Sequence, residues 1–108
     1  MQINYSFKKI GEFEQHFCRQ YLAAKVDAIQ RALPKLGTDA EVMLDFRAER
    51  FAKKKAYRVT LSLRADAHRW MAEEDDHTLR EAIDLTKDKL VLQMRKYRRV
   101  EGTIQGAA

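Results

Sequence analysis

The chain has 108 residues, 21 Lys and Arg against 16 Asp and Glu for a formal net charge of +5, one cysteine and one proline. That length supports one compact domain able to fold without metal or disulfide staples, and two domains are not expected. A lone Cys18 excludes an internal disulfide and a thiolate metal cluster, and no apolar run approaches the roughly 20 residues that span a bilayer. The N-terminus lacks the layout of a signal peptide, so the expected compartment is the cytoplasm.

Ile3, Tyr5 and Phe7 alternate with Asn4 and Ser6, the period-2 pattern of a half-buried strand over residues 1–7. Cys18, Leu22, Val26, Ile29 and Leu33 are spaced by three and four, which predicts one helix from Glu12 to about Leu33, ended by Pro34 and Gly37. Val42, Leu44, Phe46 and Ala48 form a second alternating run, and Tyr57, Val59, Leu61 and Leu63 a third. Between them, Lys53, Lys54 and Lys55 suit the turn of a hairpin. A shorter alternation around His68, Trp70 and Ala72 predicts another strand over 67–73.

Thr78 and Glu81 have capping-box spacing and open a last helix, with Leu79, Ile83, Thr86, Leu90, Met94 and Tyr97 on its inner stripe. Residues 100–108 read as a short flexible tail, which leaves 1–99 as the folded domain. The expected fold is α+β, a single β-α-β-β-β-α domain. Its four-stranded mixed sheet has the first two strands parallel, later strands joined by hairpins, and both helices packed on one face. The other sheet face, with Arg58, Thr60, Ser62 and Arg64, is left to solvent or a partner.

Charge is the strongest functional signal. From Lys87 to Arg99, Lys87, Lys89, Arg95, Lys96, Arg98 and Arg99 stand against Asp88 alone, a local balance equal to the +5 of the whole chain. A localised basic footprint of this kind suits a polyanion, nucleic acid above all. Cations also belong at a helix C-terminus, where they offset its dipole, so a solvated helix end is the structural reading of the same residues. A second basic segment, Arg47 to Arg58, also sums to +5. It offers Arg50, Lys53, Lys54 and Lys55 as possible secondary RNA contacts, or simply a lysine-rich turn. Glu73 to Asp84 sums to −5, and its acids either stabilise the start of the last helix or steer the orientation of a partner.

A catalytic or metal site is not expected. His16 and Cys18 are two apart on a helix and face different ways. Asp75, Asp76 and His77 lack a second ligand cluster. Trp70 and Tyr57 read as packing residues rather than base-stacking platforms, and Cys18 as a small buried hydrophobe.

The opening Met1-Gln2-Ile3-Asn4, the run Cys18-Arg19-Gln20-Tyr21-Leu22-Ala23-Ala24-Lys25-Val26, and Ala82-Ile83-Asp84 followed by Asp88-Lys89-Leu90, Gln93-Met94 and Lys96 resemble the ribosome hibernation-promoting factors. That family includes the bacterial ribosome-associated inhibitor proteins. The resemblance spans about residues 1–99, and the last-helix motif is its most specific part. It implies a non-enzymatic, cofactor-free stress-response factor that binds the small ribosomal subunit, at its 16S-type rRNA near the decoding centre. There it would block tRNA and mRNA sites and repress translation. It implies RNA contacts at Lys25, Lys89, Lys96 and Arg98, to which Lys87, Arg95 and Arg99 add charge.

Departures from the family's pattern fall at Leu92, usually basic, at Phe7, usually small, and at Thr78, usually acidic. A short-type member is implied, with no membrane or small-molecule partner expected. A general module of double-stranded-RNA-binding type remains an alternative on these residues. So does a protein-interaction domain using the acidic patch and the open sheet face.

Overall fold

A computed structural model describes the backbone of residues 1–34 and 41–107, and the side chains of these as far as Tyr97. Its elements are β1 (Gln2–Lys8), α1 (Glu12–Ala23), α2 (Val26–Ala32), β2 (Val42–Phe51), β3 (Ala56–Ala65), β4 (His68–Asp76) and α3 (Leu79–Ala107). The strands form one mixed sheet in the order β1-β2-β3-β4. β1 runs parallel to β2, with Tyr5 opposite Phe46, and the other two pairs are antiparallel hairpins.

Alternation decides the faces. Leu44, Phe46, Ala48, Val59, Leu61, Leu63, Trp70 and Ala72 point to the helices and are buried with Cys18, Leu22, Ile29, Ile83, Leu90 and Met94. Burying these side chains is the main driving force for the fold, since each contributes on the order of 1.5–3 kcal/mol when fully removed from water. α3 lies over β3 and β4, with α1 and α2 at its side. Trp70 and Tyr57 are packing residues as expected. Trp70 meets Tyr97 edge-on at 5.6 Å, and Tyr57 donates its hydroxyl to Glu14 at 2.7 Å.

The single helix expected over 12–33 is two. Lys25 donates its amide to the Leu22 carbonyl at 2.8 Å in a tight turn, and α2 restarts at Val26. Ile29 and Ala32 reach the core alongside Cys18 and Leu22, the face that a continuous helix would also bury. Tertiary contacts impose the break, because Ala23, Ala24 and Lys25 all have high helix propensity. Gly37, expected at the helix end, lies outside the described residues.

β4 is longer than the 67–73 expected. Its pairing with β3 continues through Glu73↔Thr60 and Asp75↔Arg58 to Asp76↔Tyr57. Cross-strand hydrogen bonds and ion pairs sustain a strand there without apolar alternation. The helical assignment of α3 also runs on to Ala107, through residues expected as a tail.

Only half of the expected capping box forms. Thr78 Oγ1 accepts the Glu81 amide at 3.2 Å, whereas Asp76 Oδ1 takes the His77 amide at 2.7 Å and the Thr78 amide at 3.4 Å.

Candidate nucleic-acid interface

α3 buries Leu79, Ile83, Thr86, Leu90 and Met94 against the sheet, so its cations are displaced to the flanks and the outer surface. One flank faces α1 and α2. Here Asp84 accepts the Tyr21 hydroxyl at 2.8 Å and lies 3.6 Å from Lys25 Nζ. The same ammonium sits 4.9 Å from the centre of the Tyr21 ring, and the Arg80 guanidinium approaches that ring at 5.8 Å. Tyr21 and Asp84 therefore hold Lys25, at the α1–α2 junction, against the flank of α3.

The other flank runs along the β4 edge of the sheet, where Lys89 Nζ donates to Glu74 Oε1 at 2.9 Å. Lys96, seven residues on, lies on the same side of the helix. Lys87 is ion-paired with its neighbour Asp88. Arg95 and Lys96 are exposed. Neither belongs to an ion pair or hydrogen bond among the described residues. The side chains of Arg98 and Arg99 lie outside the described set.

Thus Lys25, Lys87, Lys89, Arg95 and Lys96 share one helix-centred surface, three of them held by carboxylates. Lys89 is about half exposed, and an exposed pair is worth only about 0–1 kcal/mol, so a phosphate can displace its carboxylate, whereas Lys25 and Lys87 are more covered, at 31% and 19% side-chain exposure. Leu85 and Leu92, about half exposed, lie on the outer side of the helix beside the flank that carries Lys89 and Lys96. Leu92 thus stands on the basic surface itself.

The acidic run from Glu73 to Asp84 does not form one patch. Glu73 and Asp75 lie on the outer sheet face with Arg58, whose guanidinium donates to both Asp75 oxygens at 2.8 and 3.1 Å. This clamp holds the Asp75 carboxyl below its ordinary range. Glu74 points to the helix side and holds Lys89, and Asp76 accepts the His77 and Thr78 amides just ahead of α3. A hydrogen bond between Asp76 and Glu81 lowers the pKa of the first and raises that of the second.

Further outer-face groups are paired, although the Ser62 hydroxyl there is buried without a hydrogen-bond partner among the described residues. Asn4 donates to Asp45 at 3.0 Å, Arg64 lies 3.4 Å from Asp45, and Thr60 donates to Glu73 at 2.9 Å. An acidic docking patch on the open sheet face therefore has few carboxylates left to present.

The secondary residues Arg50, Lys53, Lys54 and Lys55 cluster at the β2–β3 hairpin, remote from the basic half of α3. His77 Nδ1 lies 3.3 Å from the Lys55 carbonyl, which puts the hairpin tip beside the N-terminus of α3. Arg95 is about 24 Å further along that helix at 1.5 Å per residue.

Two kinds of residue escaped the sequence reading. Tyr21 was only part of a motif, and Glu74 only part of an acidic run. Extending the Trp70-Ala72 alternation by two residues places Glu74 on the helix side, and that was the available signal.

The fold and this surface define a small α+β protein whose last helix carries an exposed basic face. Residues 3–100 match the family described as Sigma 54 modulation protein / S30EA ribosomal protein, and the chain belongs to that family. Among solved structures it is similar to the N-terminal domain of Protein Y from Thermus thermophilus, at 23% identity and a TM-score of 0.67, over 91% of this chain and 100% of that one. It is also similar to a ribosomal subunit interface protein from Coxiella burnetii, at 15% identity and a TM-score of 0.65, over 92% and 99% of the two chains. These likenesses are of fold. No curated protein sequence matches.

Proposed function

We propose that this protein is a ribosome hibernation factor that binds the small ribosomal subunit through its rRNA and represses translation by occupying tRNA and mRNA space. Membership of the S30EA family carries the ribosomal part of this reading. The similar Coxiella burnetii protein is itself described as a ribosomal subunit interface protein. The basic surface of α3 carries the RNA part, and Arg95 and Lys96 on it have no ion-pair partner among the described residues.

Binding here is electrostatic docking. Each lysine or arginine that meets a phosphate releases condensed counterions, so affinity falls steeply with salt. Arg95 and Arg98 add forked donors that match phosphate geometry, and the lysines act as mobile point charges. No bond is made or broken. The protein acts by exclusion in the cytoplasm, where ribosomes work, and stress is the condition that calls for it.

The test is co-sedimentation of the full chain with purified small subunits at low and moderate salt. The wild type should pellet with subunits and be released as salt rises. Lys89→Glu with Lys96→Glu and Arg98→Glu should keep its circular dichroism and lose co-sedimentation. A folded triple variant that pellets like the wild type overturns the site assignment.

A further inference from the structure

We infer that the hairpin end of the sheet holds a separate binding cleft for clustered phosphate groups, built jointly by Lys9 and the β2–β3 hairpin. A cleft of about 430 Å³ opens there, lined by Lys9, Arg50, Lys53 and Lys54 around Phe51, with Glu49 as its one carboxylate. That carboxylate is already held by Lys8 at 3.4 Å. Asp75, which feels the charge of Lys54, is clamped by Arg58. None of the four cleft cations belongs to an ion pair among the described residues.

The cations come from segments about forty residues apart in sequence. The parallel register ends at Lys8↔Glu49, which brings the next residue, Lys9, level with Arg50. At that point Lys9 takes a φ of 59°, a left-handed conformation disfavoured for residues other than glycine. The chain turns away there while the ammonium group stays at the hairpin.

Four like charges around a single carboxylate that Lys8 already holds raise the local potential, and a multiply charged anion relieves their repulsion. The volume lies within the range of small-ligand sites. The Phe51 ring, stacked beneath the Arg58 guanidinium at 4.9 Å, supplies an apolar wall. Clustered phosphates reach a protein from two sources, the backbone of an RNA strand or the polyphosphate of a free nucleotide, and the cleft chemistry is the same for both. The cleft goes beyond the α3 interface and stands independently of it.

Inorganic triphosphate titrated into the ¹⁵N-labelled full chain at low salt probes the cleft directly. The expected result is saturable amide shifts concentrated at Lys9 and residues 50–54. Binding should be at least tenfold weaker in Lys53→Glu/Lys54→Glu, whose α3 amide positions report an intact fold. Absence of shifts at the hairpin overturns the proposal, and so do equal shifts at Arg95 and Lys96, which signify diffuse counterion attraction. Co-sedimentation with small subunits then separates the sources. If triphosphate and the hairpin double variant both weaken it, the cleft takes RNA phosphates. If both leave it unchanged while triphosphate still binds, the ligand is a free polyphosphate. Failure at the hairpin leaves the Lys89, Lys96 and Arg98 test untouched.

Discussion

Thr86 shows how one buried hydroxyl seats a helix. Its Oγ1 lies 2.6 Å from the Ala82 carbonyl and 3.2 Å from that of Val59 on β3, in a site closed to water. Valine keeps the shape and removes the donor, so Thr86→Val should destabilise the protein by about 1 kcal/mol in urea unfolding. Thr86→Ser, which retains the hydroxyl, should lose only the packing of a methyl group. Cys18 is the matching apolar case. Burial, reinforced by the Glu14 charge, pushes its thiol up to about 11. Native protein at neutral pH should therefore resist alkylation of Cys18, which should be modified only as fast as the chain unfolds. Rapid labelling of folded protein would contradict the placement of α1 on the sheet. Gly11 caps α1 without a side-chain hydrogen bond, at φ −71°, ψ 164°. A Cβ there meets nothing nearer than a Glu14 oxygen at 3.9 Å. Gly11→Ser should then raise the melting temperature, by a cap and a stiffer unfolded chain together worth about 0.5–1 kcal/mol.

At the scale of elements, the outer sheet face is stitched by charge, and β4 depends on it most. The Arg58 clamp lowers the pKa of Asp75, so its contribution to stability is present at neutral pH and is lost as pH falls through that lowered value, below the ordinary 3.8. Asp75→Asn should melt lower than wild type at pH 7, and the two should converge toward the acid limit. The difference should be small, because both partners are exposed. The same stitching explains what could be read in the sequence. β2 from Val42 to Glu49 and β3 from Tyr57 to Arg64 alternate core-facing and mostly polar residues and were legible, as was the parallel entry of β1, whereas Arg50 and Phe51, in the segment that reads as the turn, continue β2. The end of β4 was not legible, because Glu73 to Asp76 carry no apolar signal, and Glu73 and Asp75 are held by Arg58 and Thr60 across the ladder. The α1–α2 break was equally hidden, since Ala23, Ala24 and Lys25 favour a helix and Tyr21 reaches Asp84, 63 residues away. Of the candidate interface, the count of cations was legible and their partners were not. Lys89 meets Glu74 only because α3 lies along the β4 edge, a fact of packing rather than of spacing.

Across the whole molecule, acids and bases are distributed so that the basic surface is partly restrained. Lys25 and Lys89 stand on opposite flanks of α3, each against a carboxylate, whereas Arg95 and Lys96 further along are not ion-paired among the described residues. A partner approaching α3 meets the unpaired cations at full strength and must draw the others from Asp84 and Glu74. Asp84 also anchors Tyr21, so its removal would disturb α1. Glu74 accepts only the Lys89 bond among the side-chain contacts described, which makes it the cleaner probe. Glu74→Gln keeps size and polarity and frees one ammonium group. If α3 is the RNA-binding surface, this variant should bind small subunits more tightly by roughly 1.5- to 5-fold, the affinity equivalent of an exposed ion pair worth about 0.2–1 kcal/mol. Its affinity should also fall more steeply with salt, because Lys89 then enters the phosphate contacts more completely. Unchanged affinity together with an unchanged salt slope would mean that Lys89 never leaves the protein's own carboxylate, and the contact surface would shrink to the segment from Arg95 onward.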